Sequence, residues 1–264
     1  DRTPAGLVAS DANMWWMDAL FDTATSTTNI YAHVAQNLAD ISSSEGGTIY
    51  TGDVTATTAL TALAGAPSVS GGVLALHPYL IAYGNNGYVA WSAPGDPTNW
   101  TAAPGGPGEA YVTAQKIVAA IATRGGAGNS PSAMLWSLDS VIRMSYVGGD
   151  PVFSFDTISD ESSILSSQSV IEYDGVYYWC GTDRFLSYNG VVREVPNNLN
   201  LNFFFDNLNY AQRQKVFATK VPRWGEIWWC FPFGDSEECN AAVIYNVREG
   251  TWYDTILPNT GRSN

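Results

Sequence analysis

The sequence predicts an all-β fold: a β-propeller of about five or six blades with insertions between blades. Tryptophans recur at nearly even spacing, Trp91, Trp136, Trp179 and Trp229, separated by 45, 43 and 50 residues. A period of about 40 to 50 residues is the sequence trace of propeller blades, so the four are assigned to the core of the repeat. Three of them close one short pattern, Gly87-Tyr-Val-Ala-Trp91, Gly175-Val-Tyr-Tyr-Trp179 and Gly225-Glu-Ile-Trp-Trp229. Aromatic residues make up 13% of the chain, beside 25 Gly and 13 Pro. Short aromatic strands joined by turn-forming residues follow from that composition.

The elements follow in chain order. Residues 1–65 are the least regular and are assigned to an irregular first blade or ring-closing segment. Within them Ser42-Ser-Ser-Glu-Gly-Gly47 reads as a loop and Gly47-Thr-Ile-Tyr-Thr-Gly52 as a short strand. From Gly72 to Tyr83 two apolar strands bend at Pro78. Asn85-Asn86-Gly87 is a tight turn, since Asn and Gly tolerate positive φ, and Tyr88 to Trp91 is the next strand. The run from Tyr111 to Thr123 is apolar, and its periodicity leaves strand and short helix both open. Gly/Pro-rich loops at 102–109 and 124–132 flank it.

Met134 to Leu138, Val141 to Tyr146 and Val152 to Phe155 are further strands. The cleanest blade spans 168–195, where Asp174-Gly175 and Asn189-Gly190 are strong hairpin signals. Residues 196–212 break the pattern as an Asn-rich insertion with a helical turn. It carries Phe203-Phe204-Phe205 and Asn207. The triplet is either an anchor pinning the insertion to the core or an exposed contact for a neighbouring subunit. Strands resume over 214–256. Dividing 264 residues by roughly 45 allows five or six blades, and the whole of 1–264 reads as a single domain.

Charge excludes several functions. The net charge is -13, with 12 Lys and Arg against 25 Asp and Glu. Tight nucleic-acid binding needs cations to neutralise phosphates, and anionic membrane surfaces need them too. The acidity serves either the solubility of an aromatic-rich surface or the repulsion of a polyanion. No segment has the 18 or more apolar residues of a membrane span. The N-terminus, Asp1-Arg-Thr-Pro, carries neither a starting Met nor a signal peptide. The chain is expected to be an excerpt of a longer one.

Catalytic motifs are missing. Nucleophile elbows, P-loops and dinucleotide fingerprints do not occur, and the two histidines, His33 and His77, lie on separate segments. His77, next to Pro78 in an apolar strand, reads as a structural histidine. Paired carboxylates remain the enzymatic option, with Asp156, Asp160, Glu161, Glu172, Asp174 and Asp183 as candidates. Asp174 is better explained as a turn residue, and the Asp156, Asp160 and Glu161 loop as a solvated loop rather than a cation site. Cys180 and Cys230 each follow a repeated Trp and read as equivalent small core residues. Cys239 leaves a bridge to Cys230 open, with free buried thiols the simpler reading. No zinc spacing is present, and no catalytic, metal or cofactor residue is assigned. Asp96-Pro-Thr-Asn-Trp100 and Asn246-Val-Arg-Glu-Gly-Thr-Trp252 read as hairpin turns over a Trp, partly similar to the Asp-box turns of sialidases.

Several segments resemble one family. They are Ser70-Gly-Gly-Val-Leu-Ala-Leu-His-Pro-Tyr-Leu-Ile-Ala-Tyr-Gly84 with Val89-Ala-Trp-Ser92, Val147-Gly-Gly-Asp-Pro-Val-Phe153, and Asp174-Gly-Val-Tyr-Tyr-Trp-Cys-Gly181 with Phe185-Leu-Ser-Tyr-Asn-Gly190. The strongest is Arg223-Trp-Gly-Glu-Ile-Trp-Trp-Cys-Phe-Pro232, followed by Ala242-Val-Ile-Tyr-Asn246 and Thr251-Trp-Tyr253. Together, over roughly residues 70–256, they resemble the tail nozzle and packaged-DNA stabilisation proteins of short-tailed bacteriophages. That resemblance implies a non-enzymatic virion protein, made in the bacterial host cytoplasm and built into the tail. It implies a homo-oligomeric ring, hexamer favoured, below the portal and adaptor, with a tail fibre or spike as further neighbour. Viral DNA would pass through without specific binding. An acidic lumen would repel DNA within about 8 Å at physiological salt. Phe203, Phe204, Phe205 and Asn207 are the candidate interface or lumen loop, and deletion of residues 200–208 is expected to impair assembly but leave the propeller folded. Carbohydrate-binding and glycosidase propellers are the competing readings.

Overall fold

The described residues form five four-stranded antiparallel sheets, each a meander whose strands neighbour one another in chain order. The computed structural model describes residues 1–264 except 8–12, 38–40, 45, 124–129, 197–200 and 258–264. Sheet I holds β1 (Asn13–Asp22), β2 (Thr27–Asn37), β3 (Ile49–Asp53) and β4 (Thr61–Ala62); sheet II holds β5 (Gly72–Leu76), β6 (Tyr79–Tyr83), β7 (Tyr88–Trp91) and β8 (Gly108–Tyr111). Sheet III comprises β9 (Ile117–Ala122), β10 (Ser132–Ser137), β11 (Val141–Tyr146) and β12 (Phe153–Ser159). Sheet IV comprises β13 (Val170–Tyr173), β14 (Val176–Cys180), β15 (Phe185–Tyr188) and β16 (Val192–Glu194), and sheet V β17 (Phe217–Val221), β18 (Glu226–Phe231), β19 (Ala241–Asn246) and β20 (Thr251–Ile256). A short helix, α1 (Leu201–Asn207), and a 3-10 segment, Tyr210–Lys215, lie between sheets IV and V in sequence. The chain divides into two compact units, sheets I to III and sheets IV and V.

In the first unit the initial strands lie side by side, β1 against β5 and β5 against β9. Asp18 of β1 accepts a hydrogen bond from the Ala75 backbone N–H of β5 at 2.8 Å. β6 shows why its sequence is continuously apolar. Leu80 and Ala82 enter the core shared with sheet I, while Tyr79, Ile81 and Tyr83 enter the core shared with sheet III. A strand covered on both faces has no polar side to alternate with. Burying a side chain such as Leu80 or Ile81, both 0% exposed, stabilises by about 1.5–3 kcal/mol.

Residues 1–65 depart from the sequence expectation. They contain the two longest strands, β1 of ten residues and β2 of eleven, in a complete four-stranded sheet. Two features hide this signal. A bulge between Met14 and Trp16 breaks the period of two. The ladder is also half solvated, with Met17 and Phe21 exposed beside buried Leu20, Tyr31 and Ala32.

The open choice over 111–123 resolves to strand, with β9 buried over Ile117–Ala120. The second unit repeats the arrangement. β13 lies against β17, and one core joins sheet IV, sheet V and α1. On β18, Ile227, Trp229 and Phe231 enter that core, while Cys230 faces a smaller cluster with Phe217, Cys239 and Ala242. The Asp174-Gly175 turn joins β13 to β14 with φ of 50° and 81°, as a primed hairpin turn requires.

Candidate functional site

The repeated tryptophans are core groups. Trp136, Trp179 and Trp229 are fully buried and occupy the second strand of sheets III, IV and V. Trp91 departs from the repeat, since it sits on the third strand of sheet II. The spacing therefore puts one repeated Trp in each of sheets II to V but not at one structural position. Through its indole N–H, Trp91 donates to the Gly106 carbonyl at 2.9 Å, Trp179 to Ser163 at 3.1 Å and Trp229 to Ser169 at 2.9 Å.

The aromatic triplet points inward. Phe204 is 0% exposed, with its ring 4.6 Å from Phe231 and 5.3 Å from Phe185. Phe203 meets Phe231 edge-on at 6.0 Å, and Phe205 lies 5.6 Å from Phe185. Asn207 donates to the Phe203 carbonyl at 2.9 Å, and its own carbonyl accepts from Gly234. Of the two readings, the packing supports the anchor. Phe204 is fully buried by this packing, whereas Phe203 and Phe205 are half-buried, and the apolar area they place against sheets IV and V favours the docked insertion over a free one. Residues 197–200 of the insertion and 124–129 of the second Gly/Pro loop lie outside the described residues.

The candidate carboxylates serve structure. Asp156 is on β12, not in a loop, and pairs with Arg143 at 3.1 Å. Asp183 pairs with Arg184 at 2.6 Å, and the hydrogen bond from that guanidinium holds its carboxyl below the ordinary range. Glu172 accepts from the Gly175 N–H at 2.7 Å and from Lys220 at 3.3 Å, closing its hairpin and tying β13 to β17. Asp160 and Glu161 are exposed. Among the described residues no group of three or more His, Cys, Asp or Glu could hold a metal ion.

His77 is corrected as well: it is exposed in the turn between β5 and β6, not inside a strand. His33 is the buried one. Its Nε2 lies 2.7 Å from the Val69 carbonyl, and burial pulls its pKa down to about 4. The three cysteines are buried and none is in a disulfide, so Cys230 and Cys239 are not bridged although both share one cluster. Burial pushes the Cys180 and Cys239 thiols up. Asp96 accepts from the Thr98 N–H and hydroxyl, and Trp100 donates to the Pro97 carbonyl at 2.7 Å. Asn246 accepts from the N–H groups of Arg248 and Glu249. Both segments are side-chain-capped turns.

A groove is the feature that sequence reasoning missed. Three cavities of about 380, 130 and 300 Å³ open along β8, and Glu109 lines all three. The first and second also share Ala102 and Gly108, and the second and third Pro67 and Tyr88. Tyr111 stands 68% exposed at one end, its ring 5.4 Å from that of Tyr88. The Tyr88 hydroxyl donates to Glu109 Oε2 at 2.8 Å; burial and this carboxylate keep the phenol protonated by raising its pKa. Asn85 and Asn86 line the Tyr111 end, and Asp150 the other. Among the described residues no Lys or Arg lines any of the three cavities. The groove draws on separated Gly/Pro-rich loops, which carry no motif. Its one local trace is the alternation in Gly108-Glu-Ala-Tyr111, which puts both Glu109 and Tyr111 on the solvent face.

No family model matches the chain, and no curated protein does. Among solved structures the chain is similar to the crystal structure of Kluyvelomyces marxianus Hsv2, with 8% sequence identity and a TM-score of 0.46. The similarity covers 93% of this chain and 66% of that protein, so the chain spans just under two thirds of its length.

Proposed function

We propose that this chain is a structural β-propeller of a short phage tail, with its five sheets as blades. In this reading it belongs to the nozzle or hub ring below the portal and adaptor, where it helps retain and conduct viral DNA without reading it. It acts as a scaffold and not as an enzyme. The supporting observation is where the family-like segments fall. They lie on β5 to β7, on the turn from β11 into β12, on β14 and β15, and on β18 to β20, so they fall on strands and the turns between them and recur in four sheets. The net charge of -13, repeated around a homo-oligomeric ring, hexamer favoured, would repel DNA from the lumen wall. Engagement of Asp156, Glu172 and Asp183 by cationic side chains weighs against the glycosidase alternative. A carbohydrate-binding role has one specific observation in its favour, the groove at Glu109.

Immunogold electron microscopy of tailed particles from the source lysate, with antibody against this chain, tests the tail reading. Label confined to the tail beneath the capsid is the expected result. Unlabelled particles with free protein in the lysate overturn it.

A further inference from the structure

We propose that the groove centred on Glu109 binds a neutral oligosaccharide. The inference rests on the groove's own chemistry and not on the tail reading.

The shape comes first. The three cavities form one run along β8, because neighbouring cavities share lining residues and Glu109 lies in all of them. The two larger ones, about 380 and 300 Å³, each sit at the small end of the 300–1,000 Å³ range of ligand clefts. A series of small connected cells suits a chain of small units better than one bulky ligand.

The lining chooses the ligand class. Tyr111 presents a solvated ring and Tyr88 a half-buried one beside it. Half-buried Trp100 lines the middle cell, while Trp91 is buried and forms only the floor of the far one. Aromatic faces carry negative potential and attract the weakly positive C–H faces of pyranose rings. Glu109 is an exposed carboxylate at the centre, with acceptor capacity left after Tyr88. Sugar hydroxyls donate to a carboxylate in charge-assisted hydrogen bonds. Asn85 and Asn86 add amides that both donate and accept.

Charge removes the competitors. Among the described residues the carboxylates Glu109 and Asp150 line the groove and no Lys or Arg does. Phosphate-bearing ligands and acidic glycans are therefore repelled.

The test is a glycan array with neutral, uronate-bearing and sialylated members, run beside an oligo-arginine peptide. Isothermal titration follows with the best neutral hit. The full chain is compared with Tyr111→Ala and Glu109→Ala, and with Tyr210→Ala as an aromatic control in the second unit. Both groove side chains are exposed, so the variants should keep the thermal unfolding curve. The proposal expects neutral glycans to bind, with affinity falling about tenfold or more in each groove variant and unchanged in Tyr210→Ala. It is overturned if no neutral glycan binds, if the groove variants bind equally well, or if the cationic peptide alone is captured there.

Discussion

Trp229 and Ser169 are joined by a hydrogen bond of 2.9 Å, indole N–H to backbone carbonyl, across 60 positions of the chain. Trp229 belongs to β18 of sheet V, and Ser169 leads into β13 of sheet IV. The indole is fully buried, stacks on Trp252 and packs 4.8 Å from Phe185. One side chain thus supplies both the polar and the apolar connection between the two sheets of the second unit.

Trp229→Phe tests that double role. The change removes the donor from a buried carbonyl and leaves part of the indole volume empty. Both effects together cost about 2–4 kcal/mol. Chemical denaturation followed by Trp fluorescence measures it; a loss under about 1 kcal/mol would show that the site relaxes around the smaller ring.

Phe204→Ala separates the anchor from the contact reading of the insertion. Phe204 is 0% exposed among Phe185, Phe205 and Phe231, so truncation costs about 3–5 kcal/mol. Asn202→Ala, on the exposed side of α1, stays within about 0.5 kcal/mol. Deletion of 200–208 accordingly destabilises the second unit, contrary to the sequence expectation that folding would survive it. Equal stabilities of the two point variants would restore the contact reading.

His33 gives an acid-sensitive contribution in the first unit. Its folded pKa, about 4, lies below the ordinary 6.5 because burial disfavours the charged ring. The unfolded chain therefore binds more protons between those values. The stability is fully present above about pH 6.5 and is lost as pH falls towards 4, at most about 3 kcal/mol. His33→Gln retains a donor for the Val69 carbonyl and removes the titration. Denaturation midpoints from pH 7 to 4 should fall less steeply in the variant than in the parent, and parallel curves would refute the assignment.

Two glycines separate conformational cost from steric cost. Gly175 has φ of +81° with nothing within 4 Å of a built Cβ, whereas at Gly87, φ +66°, a Cβ would overlap the Thr113 backbone. Gly175→Ala costs about 1–2 kcal/mol from the left-handed backbone alone. Gly87→Ala adds about 1–3 kcal/mol of overpacking. Thermal unfolding of the pair should rank them in that order.

Legibility followed locality. Hairpins such as Val170 to Cys180 were readable because Asp174-Gly175 requires positive φ at both residues, a demand met within two positions. The apolar run of β6 was readable as strand, but its division between two cores was not, since the faces depend on which sheets cover them. The first sheet escaped because a bulge and half-exposed residues erased its period. His77 was misplaced because an apolar neighbourhood in sequence says nothing of which side of a turn meets water.

The β class, the hairpin turns at Asp174-Gly175 and Asn189-Gly190 and one repeated Trp in each of sheets II to V were set by local sequence alone, because short-range steric rules and hydrophobic periodicity act within a few residues. The burial of Phe204, the pairing of Glu172 with Lys220 and the common groove of Glu109, Tyr88 and Tyr111 arise only in the folded chain. Those outcomes depend on side chains brought together from distant segments, where packing and charge pairing between sheets, and not local propensity, set the energy.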